Sequence, residues 1–312
     1  MTDIIDIAII GGGPAGLTAA LYGARARAST VVFETQMPGG AIITTDWIEN
    51  YPGMPEGLSG ARIGELMHAH AEKFGAQFRT FARVESLREE GGGFVLTAED
   101  EESVARTVIL ATGSVPRKLG VPGEAEYAGR GVSWCATCDG ALFRDKVVAV
   151  IGGGDAAADE ALFLTKFAAK VYLVHRRAEL RATKCIQERC FANDKIEMRW
   201  DRVPSQIRGH EGRVTGVVLQ STIGEPDEVL ELQGVFEFVG VHPSSELVAG
   251  LAQLTEVGWV KVDATMMTSV PGLWAAGDVT DTPLKQVVTA AGQGATAAFE
   301  ALRYLDSGTC PL

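Results

Sequence analysis

A glycine-rich turn between an apolar run and a helical pattern occurs twice in this chain, and it constrains the fold more than any other feature. Residues 4–10 are apolar and rich in isoleucine, and Gly11-Gly12-Gly13-Pro14-Ala15-Gly16 follows. Residues 17–28 then show a small-residue helical pattern, and the apolar run 30–33 ends at Glu34. Apolar runs bounded by glycines are typical of buried parallel strands. This segment therefore predicts a βαβ unit of about thirty residues.

The second glycine-rich turn begins at Gly152, 141 positions after the first begins at Gly11. Its predicted strand covers residues 146–151, its helix extends to Thr165, and its next strand covers residues 170–174. Two such motifs, each between a strand and a helix, are far more specific than a lone match. The sequence predicts an α/β fold with two Rossmann-like, three-layer nucleotide-binding domains.

Two further apolar segments, residues 107–117 and 234–247, each lead to a glycine with a proline nearby, and they are predicted to close the two domains. A late strand at residues 272–279 has no counterpart in the middle of the chain. The simplest partition makes residues 1–115 and 247–312 one discontinuous domain, with residues 116–246 inserted into it. Glycines 91–93 predict a hairpin turn.

The residues after the second strand of each unit predict which nucleotide is bound. Glu34 can accept hydrogen bonds from an adenosine ribose, which suits FAD or NAD. The second unit instead has His175-Arg176-Arg177, with Arg181 four residues on. Guanidinium groups there suit the 2′-phosphate of NADP, although a solvated basic patch is the alternative. We therefore expect FAD in the outer domain and NADPH in the inserted one. Ala157 replaces the third glycine, which the fingerprint allows.

Cys135 and Cys138 form a C-x-x-C pair followed directly by Asp139. In a reducing compartment this spacing is typical of a redox-active pair, and Asp139 could relay a proton. Half of a zinc site and a pair of buried structural thiols are the alternatives. A zinc site needs two more ligands, and the spare cysteines, Cys185 and Cys190, are spaced to lie on different helix faces. We predict no metal, and we interpret Cys185, Cys190 and Cys310 as bystanders.

The charge balance excludes some partners. There are 28 basic and 40 acidic residues, for a net charge of −12. This argues against nucleic acid and anionic membranes as general partners. No run of 18 apolar residues is present, and the N-terminus carries aspartates where a signal peptide has basic residues. We expect a cytoplasmic protein that does not enter a membrane.

The whole sequence closely resembles the low-molecular-weight, bacterial-type thioredoxin reductases. The likeness is carried by GGGPAG, MPGG, ENYPG, ILATG, CATCDG, GGGDAA, HRRAELRA and AAGDVTDTPLKQVVTAAGQGA. It implies an FAD domain split by an NADPH domain, a homodimer, and thioredoxin as partner. It also implies that the Cys135–Cys138 disulfide lies in the NADPH domain, with Cys138 nearest the flavin, Cys135 attacking thioredoxin and Asp139 donating a proton.

Carried over by position, the resemblance assigns nucleotide contacts to two sets of residues. Those for FAD are Gly11, Gly13, Pro14, Ala15, Gly16, Glu34, Thr35, Gly39, Gly40, Ala41, Asn50, Ala111, Thr112, Gly113, Gly277, Asp278, Lys285, Gln286 and Val287. Those for NADPH are Gly152, Gly154, Asp155, Ala156, Ala157, His175, Arg176, Arg177 and Arg181.

Two residues depart from the family pattern. Ala41 stands where many members carry Gln, and Trp134 precedes the first cysteine where a smaller residue or Tyr is common. The resemblance further implies that the inserted domain rotates, with residues 114–118 and 243–247 as hinges.

Other functions remain open at this stage. A flavoprotein fed by ferredoxin and a flavin dithiol oxidase share the fold, but the arginines argue against both. The reductase of a peroxidase system and a nucleotide sensor without enzymatic activity are further alternatives.

Overall fold

The computed structural model describes residues 4–308, and Cys310 lies outside this range. The chain divides into two compact units, residues 1–115 with 242–312 and residues 116–241. The break falls at His242, five residues before the predicted boundary at 247. Short strands of the two connecting segments, Ser114–Pro116 and Val241–Pro243, pair with each other.

The secondary structure of the described residues follows the predicted alternation of strands and helices. The strands are β1 (Ile5–Ile10), β2 (Thr30–Glu34), β3 (Gln77–Thr80), β4 (Val84–Glu90), β5 (Gly93–Ala98), β6 (Glu101–Leu110), β7 (Ser114–Pro116), β8 (Val132–Ser133), β9 (Val147–Gly152), β10 (Lys170–Val174), β11 (Ile196–Arg199), β12 (Arg202–His210), β13 (Arg213–Ser221), β14 (Glu228–Glu231), β15 (Gly234–Phe238), β16 (Val241–Pro243) and β17 (Leu273–Ala275). The α-helices are α1 (Pro14–Arg25), α2 (Gly60–Lys73), α3 (Ala136–Asp139), α4 (Asp155–Leu164), α5 (Lys184–Phe191) and α6 (Val287–Asp306). Short 3₁₀ helices cover Gly40–Thr44, Gly140–Phe143, Glu246–Val248 and Gly277–Val279.

The unit formed by the two ends of the chain is built on one sheet in the order β3-β2-β1-β6-β5-β4, with β17 also paired to β6. Strands β3, β2, β1, β6 and β17 are parallel, whereas β4, β5 and β6 form an antiparallel meander. The predicted hairpin at residues 91–93 is confirmed. Apolar clusters cover both faces of the sheet, one around Phe33, Phe94 and Leu110 and the other around Ile7, Ile9 and Trp274.

The second unit has a parallel sheet in the order β11-β10-β9-β15-β8 and a smaller antiparallel sheet, β12-β13-β14. β9 and β15 are fully buried in their central residues, and β9 is the continuous apolar run that is typical of a parallel strand. The side chains of Val148 and Phe236 pack toward α4, while those of Val235 and Ile151 pack toward the smaller sheet with Val217. In each unit, β1 and β9 end at a glycine turn that leads into a helix, α1 or α4, so the topology places each turn at the carboxyl edge of its own sheet.

Candidate redox and nucleotide sites

Cys135 and Cys138 are joined by a disulfide with an S–S distance of 2.08 Å. β8 ends at Ser133, and the four-residue helix α3 begins directly after Cys135. The backbone N–H of Cys138 donates a hydrogen bond to Sγ of Cys135 at 3.1 Å. The same N–H can stabilise a Cys135 thiolate once the disulfide is reduced, because hydrogen bonds to the charged form favour it.

Ser133 connects the disulfide to Asp139. Its Oγ lies 2.7 Å from Oδ2 of Asp139 and accepts the backbone N–H of Cys135 at 3.1 Å. The hydroxyl therefore fixes the carboxylate close to the segment that carries the redox pair. The predicted residues Cys135, Cys138 and Asp139 are thus brought together, and Ser133 is a member of the site that sequence reasoning missed.

The first glycine turn is shaped by close backbone approaches. A Cβ on Gly16 would lie 1.9 Å from the carbonyl oxygen of Gly11, and one on Gly11 would lie 2.4 Å from that of Ala111. Gly11 also has a φ of +104°, which L side chains rarely adopt. Only glycine therefore fits at these two positions, as the nucleotide-binding fingerprint requires.

Glu34 is tied to the same turn. Its Oε2 accepts the N–H of Gly12 at 2.6 Å, and its Oε1 accepts the N–H of Gln36 at 2.9 Å and the hydroxyl of Thr35 at 3.0 Å. Gly39 donates to the carbonyl of Gly12 at 2.8 Å, so the predicted MPGG segment also packs on the turn.

The other residues predicted to contact FAD cluster at two places in this unit. Asn50 Nδ2 donates to Oε1 of Gln286 at 3.1 Å, immediately before α6 begins at Val287. Lys285 Nζ donates to the carbonyl of Asp278 at 3.2 Å and lies 3.9 Å from the ring centroid of Trp259. Burial raises the pKa of the Asp278 carboxyl, and the nearby Lys285 opposes this shift. Burial also lowers the pKa of Lys285.

The remaining predicted contacts lie beside these clusters. Thr112 Oγ1 donates to the carbonyl of Ser244 at 2.6 Å, and Gly113 has open space where a Cβ would stand. Ala41 lies in the 3₁₀ turn Gly40–Thr44, and a Cβ on Gly40 would lie 2.7 Å from Cα of Gly13. Gly277 donates its N–H to Oε1 of Gln293 at 2.8 Å. Gln293 is a further residue that the motif analysis missed, although it lies within the AAGQGA segment.

The second glycine turn is similar in construction. A Cβ on Gly152 would lie 2.6 Å from that of Ala157, so the missing side chain at Gly152 makes room for the alanine at the third motif position. A Cβ on Gly154 would meet nothing within 4 Å, which leaves the start of α4 open. Ala156 lies in the first turn of this helix.

Arg181 and the segment that follows it are held against this second turn by backbone N–H groups. The N–H of Arg181 donates to the carbonyl of Gly153 at 2.6 Å, and that of Thr183 donates to Oδ1 of Asp155 at 2.6 Å. Arg176 and Arg177 are exposed, as is Arg181, so all three guanidinium groups are available to a ligand.

His175, by contrast, is buried, and its ring packs on Gly153, where a Cβ would lie 2.2 Å from Nδ1. Burial lowers its pKa, and the neighbouring Arg181, Arg176 and Arg177 lower it further. The imidazole is therefore neutral at pH 7, which leaves the arginines to supply the positive charge.

The residues present fit two dinucleotides. The N-cap residues of α1 and α4 are Gly13 and Gly154. Neither has a side chain that could accept hydrogen bonds from the N–H groups of the first helical turn. The N–H groups of each first turn are therefore free for the anionic oxygens of a pyrophosphate, which helix N-termini bind. Glu34 beside the first turn suits a ribose hydroxyl, and the arginines beside the second suit a phosphate.

The remaining cysteines differ in environment. Cys185 is exposed, whereas Cys190 is buried, and burial raises the pKa of the Cys190 thiol to about 11. Among residues 4–308, no group of three or more His, Cys, Asp or Glu side chains is arranged to hold a metal ion. In the same range no helix is long and apolar enough to cross a lipid bilayer.

Comparison with known proteins gives consistent matches. Residues 5–294 match the family model described as pyridine nucleotide-disulphide oxidoreductase. The chain is 46% identical to a thioredoxin reductase of Mycolicibacterium smegmatis over 96% of both chains, and 45% identical to one of Peptoclostridium litorale over 98% of both. Among solved structures, Lactococcus lactis thioredoxin reductase in its FR conformation superposes with a TM-score of 0.95. It is 40% identical, and the match covers 97% of this chain and 99% of the other.

Proposed function

The chain belongs to the pyridine nucleotide-disulphide oxidoreductase family, and we propose that it is an NADPH-dependent thioredoxin-disulfide reductase that uses FAD. One observation carries the proposal. The Cys135–Cys138 disulfide and Asp139 lie in the same unit as a glycine turn that presents three exposed arginines. A redox pair and a site for a phosphorylated nicotinamide nucleotide are the two parts that such a reductase needs on one unit.

We assign FAD to residues 1–115 and 247–312, and NADPH to residues 116–246. Glu34 would hold the adenosine ribose of FAD, while the N–H groups at the start of α1 would hold its pyrophosphate. Arg176, Arg177 and Arg181 would hold the 2′-phosphate of NADPH. When bound, the flavin supplies the two-electron step between the nicotinamide and the disulfide.

The chain's own residues account for the exchange chemistry. Reduction converts the disulfide into two thiols. The Cys135 thiolate, stabilised by the N–H of Cys138, attacks a disulfide sulfur of thioredoxin and displaces the other thioredoxin sulfur as a thiolate. Cys138 then attacks Cys135 Sγ, which reforms the Cys135–Cys138 bond and releases reduced thioredoxin. Asp139, held by Ser133, is placed to give a proton to a departing thiolate.

We further propose a cytoplasmic location, and the resemblance supports a homodimer. Sedimentation of the purified protein distinguishes a dimer from a monomer of 33.1 kDa. Fractionation of the source cells tests the location.

The decisive experiment is an anaerobic titration of the purified protein with NADPH and, separately, with NADH. We expect NADPH to bleach the visible flavin band within about two equivalents, because the flavin and the Cys135–Cys138 disulfide each accept two electrons, and NADH to act only at much higher concentration. Oxidised thioredoxin added afterwards should restore the band. If neither nucleotide bleaches the flavin, the NADPH assignment is wrong and a ferredoxin-fed reductase or a dithiol oxidase replaces it. If bleaching occurs but thioredoxin restores nothing, the acceptor is another disulfide.

A further inference from the structure

Glu237 is a carboxyl group in the middle of a parallel sheet. It lies on β15 with 1% of its surface exposed, and β15 pairs with β9 on one side and β8 on the other. Acidic residues are almost never fully buried unless they are paired, because an isolated charge in the interior is strongly destabilising. The contacts of its two oxygens therefore indicate its protonation state.

One oxygen has a donor and the other has none. Oε2 accepts the indole N–H of Trp134 at 2.9 Å. Oε1 is buried and receives no hydrogen bond from any described residue. The Glu237 carboxyl interacts with the carboxyl of Glu124, which is 3% exposed, and with the backbone N–H of Leu119. A buried carboxyl that lies against a second carboxyl and has one oxygen without a donor is the group expected to carry a proton.

Glu124 is arranged as the charged member of the pair. Its carboxyl oxygens accept the backbone N–H groups of Leu119 at 3.1 Å, Gly120 at 2.5 Å and Val121 at 3.3 Å. Three N–H donors suit an ionised carboxylate. Burial raises the pKa of Glu237 to about 8, with the charge of Glu124 as the next cause. Lys118 also lies near this pair, with its Nζ 5.5 Å from the ring centroid of Trp134.

The register of β8 and β15 links this pair to the redox cysteines. Val132 is paired with Val235 and Ser133 with Phe236, so Trp134 and Glu237 stand level where β8 ends. Trp134 directly precedes Cys135 and lies between it and Ser133, which binds Asp139. The indole hydrogen bond therefore fixes the backbone where β8 ends and where the segment with Cys135 and Cys138, here called the redox segment, begins.

We propose that Glu237 and Glu124 hold one shared proton in the interior of this unit and that the pair positions Cys135 through the indole of Trp134. The second half of this inference rests on the proposed function, since it gives Cys135 the role of exchanging thiol. Glu237 and Glu124 are positioning residues that do not contact the partner disulfide. Loss of the proton places two negative charges together in the interior of this unit, beside the indole N–H that donates to Glu237.

The shared proton is tested by nuclear magnetic resonance of the FAD-loaded protein with ¹⁵N-labelled tryptophan, from about pH 6 to 9.5. The chain has five tryptophans, and Trp134→Phe identifies the relevant indole signal. We expect this signal to titrate with a midpoint at about pH 8. The titration should disappear in Glu237→Gln and persist in Glu231→Gln, which alters an exposed carboxylate of the same unit. A Trp134 signal that is constant with pH in the unmodified protein, or still titrates in Glu237→Gln, overturns the proposal.

The positioning role is tested on protein reduced with dithiothreitol, by the rate at which iodoacetamide alkylates Cys135 at pH 7. Peptide mass spectrometry separates the sites, and the exposed Cys185 serves as an internal reference. We expect Trp134→Phe and Glu237→Val each to slow Cys135 about threefold or more, as loss of an ordering hydrogen bond predicts. Glu237→Gln keeps an acceptor for the indole and should remain within about 1.5-fold of the unmodified rate.

Unmodified Cys135 rates in both Trp134→Phe and Glu237→Val overturn the positioning role. Trp134→Phe decides the matter if Glu237→Val does not fold. Neither measurement uses NADPH or thioredoxin. A protein that fails to reduce thioredoxin therefore refutes the proposed function alone, and the state of the shared proton is decided separately.

Discussion

Ser133 and Asp139 are joined by a hydrogen bond of 2.7 Å between Oγ and Oδ2, across the two ends of the segment that holds the redox cysteines. The bond closes a loop of seven residues, 133–139, that contains the disulfide. The contact fixes the orientation of the Asp139 carboxylate next to the redox pair.

Asp139→Asn is expected to lower the rate of thioredoxin reduction by roughly 10²-fold, the usual size of a general acid contribution. Ser133→Ala should lower it less, by about fivefold, because the carboxylate remains but loses one hydrogen bond. Reduction of the flavin by NADPH should be unchanged in both variants. Stopped-flow absorbance separates the two steps, and Asp227→Asn, an exposed aspartate of the same unit, is the control. Full turnover in Asp139→Asn would remove this residue from the mechanism.

Cys138→Ser is expected to abolish reduction of thioredoxin while NADPH still bleaches the flavin, because the variant cannot form the disulfide that accepts the electrons. The measurement is steady-state turnover together with the anaerobic NADPH titration. Cys185→Ser removes an exposed thiol of the same unit and should leave both unchanged. Retained thioredoxin turnover in Cys138→Ser would refute the redox assignment.

Arg176→Ala combined with Arg177→Ala should raise the KM for NADPH by about 10-fold or more, since a charge-assisted hydrogen bond to a phosphate is lost with each side chain. The KM for NADH should change little, because NADH lacks the 2′-phosphate. Arg208→Ala, at another exposed arginine of the same unit, is the matched control. Equal effects on the two nucleotides would show that these arginines do not bind the 2′-phosphate.

The sequence predicted those elements whose signal is local. Residues 170–174 form the predicted strand, and both glycine turns stand between a strand and a helix, because glycine spacing and apolar runs report local backbone requirements. The pairing of Trp134 with Glu237 could not be predicted, because the two residues are 103 positions apart and meet only through the register of β8 on β15. Ser133 was missed for a different reason. A serine before a cysteine motif has no distinctive pattern until the position of Asp139 is known.

Glu237 also predicts a pH dependence of stability. Burial raises its pKa from 4.5 to about 8, so the folded protein holds a proton that the unfolded chain releases between these values. The stability of the unmodified protein therefore falls as pH rises through this window, by at most ~1.4 kcal/mol per pH unit from this group. Glu237→Gln does not titrate. Its melting temperature relative to the unmodified protein should rise from about pH 5 to about pH 8 and be constant above it, whereas a constant difference across the range would contradict the raised pKa.

Two glycines of α6 predict opposite effects of the same substitution. A Cβ on Gly294 would lie 2.0 Å from the carbonyl oxygen of Ala15, in the first glycine turn, while one on Gly292 would meet nothing within 4 Å. Gly294→Ala should therefore push α6 away from α1, destabilise the fold by about 1–3 kcal/mol and weaken retention of FAD, because overpacking displaces the turn. Gly292→Ala should stabilise the fold by about 0.5–1 kcal/mol, since alanine favours a helix interior.

Thermal unfolding and the flavin absorbance that remains after gel filtration measure both effects on this matched pair. Because the two positions lie two residues apart in one helix, a difference in helix propensity cannot produce opposite signs. Suppose instead that Gly294→Ala unfolds at the same temperature as Gly292→Ala and keeps its flavin. The backbone of α6 at Gly294 then lies farther from the carbonyl of Ala15 than the 2.0 Å separation of a Cβ implies. In that case the first glycine turn is shaped by α1 and β1 alone, and FAD retention should depend on Gly16, where a Cβ would lie 1.9 Å from the carbonyl of Gly11.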